Sequence, residues 1–458
     1  MPIERVGQND GMIATFTMKH VTGLTLSLVA LVLVGCAEPE VILSGEREDL
    51  RAESGVTRLP RAPDTVNNQS RSIRLPAQRA NTNWAQSFGT PAFRTDHPAL
   101  SSAPSRIWSV NIGAGDARRA RINAAPVVGG GLIYTLDSGA RVSGVNPSGA
   151  LVWSTNLIPA SDDEEEATGG GLAYDNGTLY VSSGFGRLTA LDAATGAVRW
   201  RQRLDATGSG TPLVSGGLVY VVAGDDTAWA VRTDTGRIAW QLQATPSVAN
   251  VLGAPAPVLA GNFTVFAFGS GEVTGAFRRG GTQRWTTTVS GERIGSVTSR
   301  IGDITGSPVV VGSRIYVGNQ SGRTAALDAQ TGERLWTARQ GTLGQIWPAG
   351  DSLFAVSDFN QLVRMNASDG SVIWVQDLPG FVKDKPRKRA EVYVHYGPIL
   401  AGGRIVLASN DGLLRFFAPE DGTLVNTVEI PGGATTPPVV ANRTLYVVSR
   451  TGQLHAFR

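Results

Sequence analysis

A single cysteine, Cys36, in 458 residues excludes an intramolecular disulfide and any zinc site built from cysteines. Histidine is nearly as scarce, and His20, His97, His395 and His455 are too scattered to form a metal-ligand or catalytic pair at a known spacing. Charged residues make up only 17 % of the chain, and the formal net charge is +3. Losing residues 1–35, with two bases and two acids, leaves that balance unchanged. So small a positive excess does not supply the dense basic face of a nucleic-acid binder. The chain has no G-x-S-x-G, P-loop, G-x-G-x-x-G or H-E-x-x-H, so four common catalytic and nucleotide-binding chemistries lack their signatures. Beyond residue 100, long apolar runs and amphipathic helical stripes are missing too. What remains is a β composition: 56 glycines and 24 prolines, with short runs of Val, Ile, Leu and Tyr between them.

The one long apolar run, from Val21 to Val34, follows Lys19 and His20. It is short for a membrane span and the right length for the apolar part of a secretory signal. It closes on Leu33-Val34-Gly35-Cys36, which resembles the bacterial lipobox, where small residues lie extended in a peptidase cleft ahead of a thiol that takes a diacylglycerol. The expectation is a signal peptide over residues 1–35 and a mature chain starting at Cys36, which carries a covalent diacylglycerol and an N-acyl lipid. Each buried CH₂ of those chains adds about 0.8 kcal/mol of membrane affinity. Residues 1–17 hold two acids foreign to a signal, so translation is expected to start at Met18. Ala37, following the cysteine in place of Asp, implies export to the outer membrane, on its periplasmic face.

Residues 36–83 are rich in Arg, Pro, Ser and Asn and poor in large apolar groups, a composition that predicts a flexible tether. A segment over 84–103 separates it from the repeats. Two charge runs stand out further on. The acids Asp162 to Glu166 read as a solvated loop. The bases Lys383, Lys385, Arg387, Lys388 and Arg389 read either as solvation or as a contact for acidic partners or lipid.

From residue 104 onward the chain repeats, and tryptophan marks the period at Trp108, Trp153, Trp200, Trp240, Trp285, Trp336 and Trp374, with Asn426 where an eighth falls due. Intervals of 38 to 52 residues fit four short strands per unit. Prolines such as Pro126, Pro212, Pro257 and Pro308 open the first strand, where a missing N–H is tolerated. The third strand ends in a turn such as Leu191-Asp192-Ala193-Ala194-Thr195-Gly196, repeated as Leu327-Asp328-Ala329-Gln330-Thr331-Gly332, and the fourth ends on the tryptophan. Asx-turn chemistry and positive φ at Gly account for that turn without a bound cation. The tryptophans are expected to wedge between neighbouring units. Eight such turns, the last in a unit without a fourth strand, and one orphan fourth strand around Trp108 predict an all-β, eight-bladed propeller over 104–458, closed by that N-terminal strand.

The recurring Leu-Asp-Ala-x-Thr-Gly-x-x-x-Trp resembles the repeat of quinoprotein-type propellers. One implication is a dehydrogenase dependent on pyrroloquinoline quinone (PQQ) and calcium, or another ligand-binding periplasmic propeller. Those enzymes carry an adjacent cysteine pair, which this chain lacks. With the lipobox, the eight units and the segment Asn83-Trp84-Ala85-Gln86-Ser87-Phe88-Gly89, the chain is more similar to the BamB family of outer-membrane protein assembly factors.

That resemblance implies a scaffold with no catalytic residue, metal, soluble cofactor or small-molecule substrate. It would dock on the POTRA domains of BamA, beside other Bam subunits, with nascent outer-membrane proteins as clients. The segments matching the family's docking loops are 248–253 and 301–305, each in a long connection from an outer to an inner strand. The resemblance therefore assigns docking to Asn250, Val251, Leu252, Asp303 and Ile304, with Val251, Leu252 and Ile304 as apolar centre and Asp303 as rim charge. Leu252 and Thr305 replace polar groups typical of the family.

Overall fold

The structure, a computed structural model, describes residues 66–90, 97–163, 169–206, 210–247, 255–289, 302–383 and 385–458. Its strands form eight four-stranded antiparallel sheets, in each of which sequence neighbours pair in order, except one. Blades 1 to 7 span 127–156, 170–203, 213–243, 258–288, 309–338, 347–377 and 395–429. The exception is blade 8, in which strands Val439–Ala441, Thr444–Val448 and Gln453–Phe457 are completed by Arg106–Asn111. Trp108 lies opposite Ala456 and Ser109 opposite His455. Ser105 and Arg458 exchange two backbone hydrogen bonds of 2.9 Å at the end of the seam. This is the predicted propeller, with the predicted closure.

Strand patterning follows position in the blade. Middle strands such as Leu218–Val222 and Thr227–Arg232 have both faces covered by neighbouring blades and are buried almost throughout. Outer strands alternate, and Val198–Arg203 runs half-buried, exposed, half-buried, exposed.

The tryptophans do wedge blades together, and the turn glycines receive them. Trp153 lies against Gly196, Trp200 against Gly236 and Trp374 against Gly422, each pair spanning two blades. Their indole N–H groups donate to turn carbonyls of the next blade, Trp153 to Ala193 at 3.0 Å, Trp200 to Thr233 at 2.8 Å and Trp240 to Arg278 at 2.9 Å. Each glycine has positive φ, where a side chain is strained, and a Cβ there would strike the ring. The Asp of the motif serves its own turn. Asp192 Oδ1 accepts the backbone N–H groups of Ala194 at 3.1 Å and Thr195 at 3.0 Å, and Arg199 and Thr195 pull its carboxyl down to about 2. A register shift beside each of the seven tryptophans that mark the period, as between Ala190 and Leu191, was not anticipated.

The segment leading into the propeller departs from expectation. A flexible tether was predicted to residue 83, yet residues 68–83 run along blades 6, 7 and 8. Asn68 exchanges hydrogen bonds with the Val375 backbone at 2.8 and 2.9 Å. Arg71 N–H reaches the Glu420 carbonyl at 3.1 Å, and Asn81 Nδ2 reaches Val440 O at 2.6 Å. Arg364, with no exposed surface, holds this run by donating to the carbonyls of Arg71 at 2.6 Å and of Pro419 and Glu420 at 3.1 Å. The Asn68 and Asn81 amides thus find backbone partners on the blades, and the Arg71 guanidinium meets the Asp351 carboxylate. The rest of the expected tether, with Cys36 and the signal segment, lies outside the described residues.

Candidate protein-interaction face

In a four-stranded antiparallel blade the first and third turns share one end. The second turn and the connection to the next blade therefore share the other. The propeller thus has a turn face, crossed by residues 68–83, and a connection face that carries every inter-blade excursion.

Between the faces, the central channel is stoppered from the turn side by residues 84–89. Trp84 exchanges two 2.8 Å backbone hydrogen bonds with Val128 of blade 1. Its ring stacks at 6.1 Å on Trp347 of blade 6, and Phe88 meets the same indole at 6.2 Å. The Gln86 amide closes both ways on the Val214 backbone of blade 3, at 3.0 and 2.8 Å. Four innermost strands are thereby joined through one segment, since Tyr174 N–H of blade 2 also donates to Ala85 O at 2.7 Å. A cavity of about 170 Å³ remains above the stopper, lined by groups such as Asn123, Thr211, Ser307 and Gln345. Sequence reasoning singled this segment out by similarity but assigned it no role. Two aromatics flanking a glutamine in a polar stretch were the available signal.

The two expected docking connections meet on the connection face. Ala256 N–H donates to Ser307 Oγ at 2.9 Å, tying the connection after blade 3 to the one after blade 4. The base of the first is pinned by carboxylates. Asp226 accepts the N–H groups of Ser247 at 2.9 Å and Gly269 at 3.0 Å, and Glu272 accepts both N–H and hydroxyl of Thr245. Asn250, Val251 and Leu252 lie outside the described residues.

The other two assignments need correction. Ile304 has no exposed surface and packs in the apolar wall between blades 4 and 5, with Val289 and Trp285. Asp303 is only 4 % exposed, and its carbonyl accepts Gln320 N–H at 3.4 Å. Ile304, apolar and within reach of two blade flanks, buries itself there, and Asp303 beside it is covered too, so neither side chain is exposed as a contact surface. Among the described residues, no group of three or more His, Cys, Asp or Glu side chains could hold a metal ion.

A family model described as outer membrane protein assembly factor BamB matches residues 138–376 and 349–458. The chain belongs to the BamB family. The BamB of Yersinia pestis is 23 % identical over 361 residues, covering 78 % of this chain and 89 % of the relative. That of Burkholderia pseudomallei is 25 % identical over 365 residues, covering 77 % and 87 %. The crystal structure of BamB from Moraxella catarrhalis superposes with a TM-score of 0.61 at 21 % identity, covering 78 % of this chain and 98 % of that one. The quinohemoprotein alcohol dehydrogenase of Comamonas testosteroni gives 0.62 at 14 % identity, covering 83 % and 81 %. The BamB and quinoprotein propellers thus share one architecture, and fold alone does not separate their functions.

Proposed function

We propose that this chain is a scaffold subunit of the β-barrel assembly machinery. In this reading it faces the periplasm, anchored in the outer membrane through lipid on Cys36, and binds the POTRA domains of BamA together with other Bam subunits. It promotes folding and insertion of outer-membrane β-barrel proteins and is not an enzyme. The observation that carries the reading is the BamB match across the propeller. The stoppered channel supports the non-catalytic part. PQQ bears three carboxylates, yet among the described residues around the remaining 170 Å³ there is no Arg or Lys to receive them and no acid to ligate calcium. A space of that size is also below the roughly 300 Å³ at which small-molecule sites begin.

With Ile304 and Asp303 inside the fold, the docking proposal rests on Asn250, Val251 and Leu252. Copurification from solubilised outer membrane, followed by mass spectrometry, tests both levels. Recovery of BamA with the native chain, and its loss with Leu252→Arg, is the expected result. Absence of BamA together with alcohol oxidation on adding PQQ and calcium would overturn the scaffold. Undiminished recovery by Leu252→Arg would remove only the nominated contact.

A further inference from the structure

The connection between blades 6 and 7 is a built hairpin. Phe381 and Val392 form an antiparallel bridge at its neck. Val382 N–H to Glu391 O at 3.0 Å and Tyr393 N–H to Gly380 O at 2.7 Å close that neck. The tip turns through a short 3-10 segment, Pro386–Lys388, in which Lys388 N–H reaches Lys385 O at 2.7 Å. Lys383, Lys385, Arg387, Lys388 and Arg389 are all exposed there, and the Arg389 guanidinium lies 4.8 Å over the Phe381 ring.

Beside the neck opens a cavity of about 460 Å³ between blades 6 and 7. The side chains of Asn360 and Asp358 in its wall are engaged within the fold. Asn360 Nδ2 donates to the carbonyls of Pro379 at 2.7 Å and Tyr393 at 3.2 Å, and the Asp358 carboxylate accepts Gly341 N–H at 2.9 Å. What faces water is carbon: Leu343 is 44 %, Phe381 41 % and Val392 53 % exposed. Large apolar side chains gathered around a recess and rimmed by charge mark an interaction site.

We propose that this cavity and basic tip form a second docking site, apart from the connections after blades 3 and 4. Its occupant is an extended polypeptide segment with apolar side chains flanked by acidic residues. The cavity has room for one or two large side chains. Five bases of the hairpin against its two acids, Asp384 and Glu391, and Asp358 of the cavity wall leave the rim net positive, a sign that selects acidic flanks. The order of features along the hairpin decides against a bilayer. A membrane-seeking loop buries apolar groups beyond its cations, which stay at the headgroups. Here the cations are at the tip and the apolar groups at the neck, so a bilayer meeting the tip never reaches Phe381 or Val392. A peptide lying along the hairpin reaches both.

Fluorescence anisotropy of a labelled peptide Asp-Glu-Phe-Val-Glu-Asp against the full chain tests this. Two control peptides replace the four acids by bases or the Phe-Val pair by Ser-Ser. The acidic apolar peptide should bind, and each control about tenfold or more weaker. Lys385→Glu with Lys388→Glu, and separately Val392→Asp, should each weaken binding by about tenfold while leaving the thermal midpoint in place. Should Val392→Asp disturb folding, Leu343→Ser reads the same wall. Equal binding of the three peptides, no binding of the first, or indifference to these substitutions overturns the proposal. So does cosedimentation of the Cys36→Ala chain with phosphatidylglycerol vesicles that depends on Lys385 and Lys388 and that the peptide does not compete.

Discussion

Two glycines of blade 2 allow the inter-blade wedge to be weighed directly. Gly177 and Gly196 have φ of +74° and +73°, so an alanine at either suffers the same left-handed strain, about 1 kcal/mol. A Cβ at Gly177 meets nothing within 4 Å, whereas one at Gly196 would sit 2.4 Å from Trp153 Cε3 and 2.7 Å from Thr155 Oγ1. Trp153 cannot retreat without stretching its 3.0 Å hydrogen bond to Ala193 O and its 5.9 Å contact with Tyr134. The bond and the aromatic contact are each worth about 1 kcal/mol, and forced repacking adds about 1 more. Gly196→Ala should therefore cost about 4 kcal/mol and Gly177→Ala about 1 kcal/mol. Urea unfolding followed by far-ultraviolet circular dichroism measures both, without relying on the fluorescence of the ring being moved. In a Trp153→Ala background the Gly196→Ala cost should fall to that of Gly177→Ala plus what the Thr155 contact retains, a coupling of about 2 kcal/mol. Equal losses for the two single variants, or strict additivity in the double, would refute the wedge.

Acid should loosen the ring at its seam. His455 is neutral, with Nε2–H donating to Pro431 O at 3.1 Å and Nδ1 accepting the Ser109 hydroxyl across the closure at 2.7 Å. Burial, helped by Arg106 and opposed by the Pro431 carbonyl, pulls its pKa from 6.5 down to about 4. The unfolded chain therefore takes the proton first, so stability is full above pH 6.5 and falls as the pH drops towards 4. The loss is about 3 kcal/mol over that window, and His455→Gln should remove most of it from urea midpoints taken at pH 7 and pH 4.5. Buried His395, also shifted down, leaves a smaller slope of the same sign. A slope unchanged in His455→Gln would exclude the seam as its source. Arg364→Met should strip the Arg71 carbonyl of its donor and leave those of Pro419 and Glu420 with one each, from the Trp374 indole and the Arg71 N–H, at a cost of about 2 kcal/mol. Trypsin should then cut faster at Arg71 and Arg74, and unchanged cleavage would show that Arg364 does not hold the segment.

The blades were legible because each repeats the same local physics: a proline before the inner strand, an Asx turn, a glycine that only a ring can approach. Residues 68–89 were not, because their order comes from contacts far along the chain, such as Arg364 to Arg71 and Gln86 to Val214. Composition measures the apolar surface a segment can bury, and this one is held by a few apolar side chains together with backbone groups, side-chain amides and a guanidinium that bond to the blades. Ile304 misled for a related reason, since a long connection reads as surface even where one residue turns back into a blade flank. The missing eighth tryptophan follows from closure. Every other fourth strand faces a neighbouring hairpin whose glycine receives the ring, but the third and fourth strands of blade 8 come from remote parts of the sequence and have no hairpin between them. Blade 7 thus has nothing to receive an indole, and the aromatic volume moves one strand inward. Phe416 stands opposite Asn426, where Gly144, Ala190, Ala230, Gly275 and Ala326 stand opposite tryptophans, and it is fully buried with the Arg404 guanidinium 4.6 Å above its ring. The irregularity in the period was itself a signal of where the ring is joined.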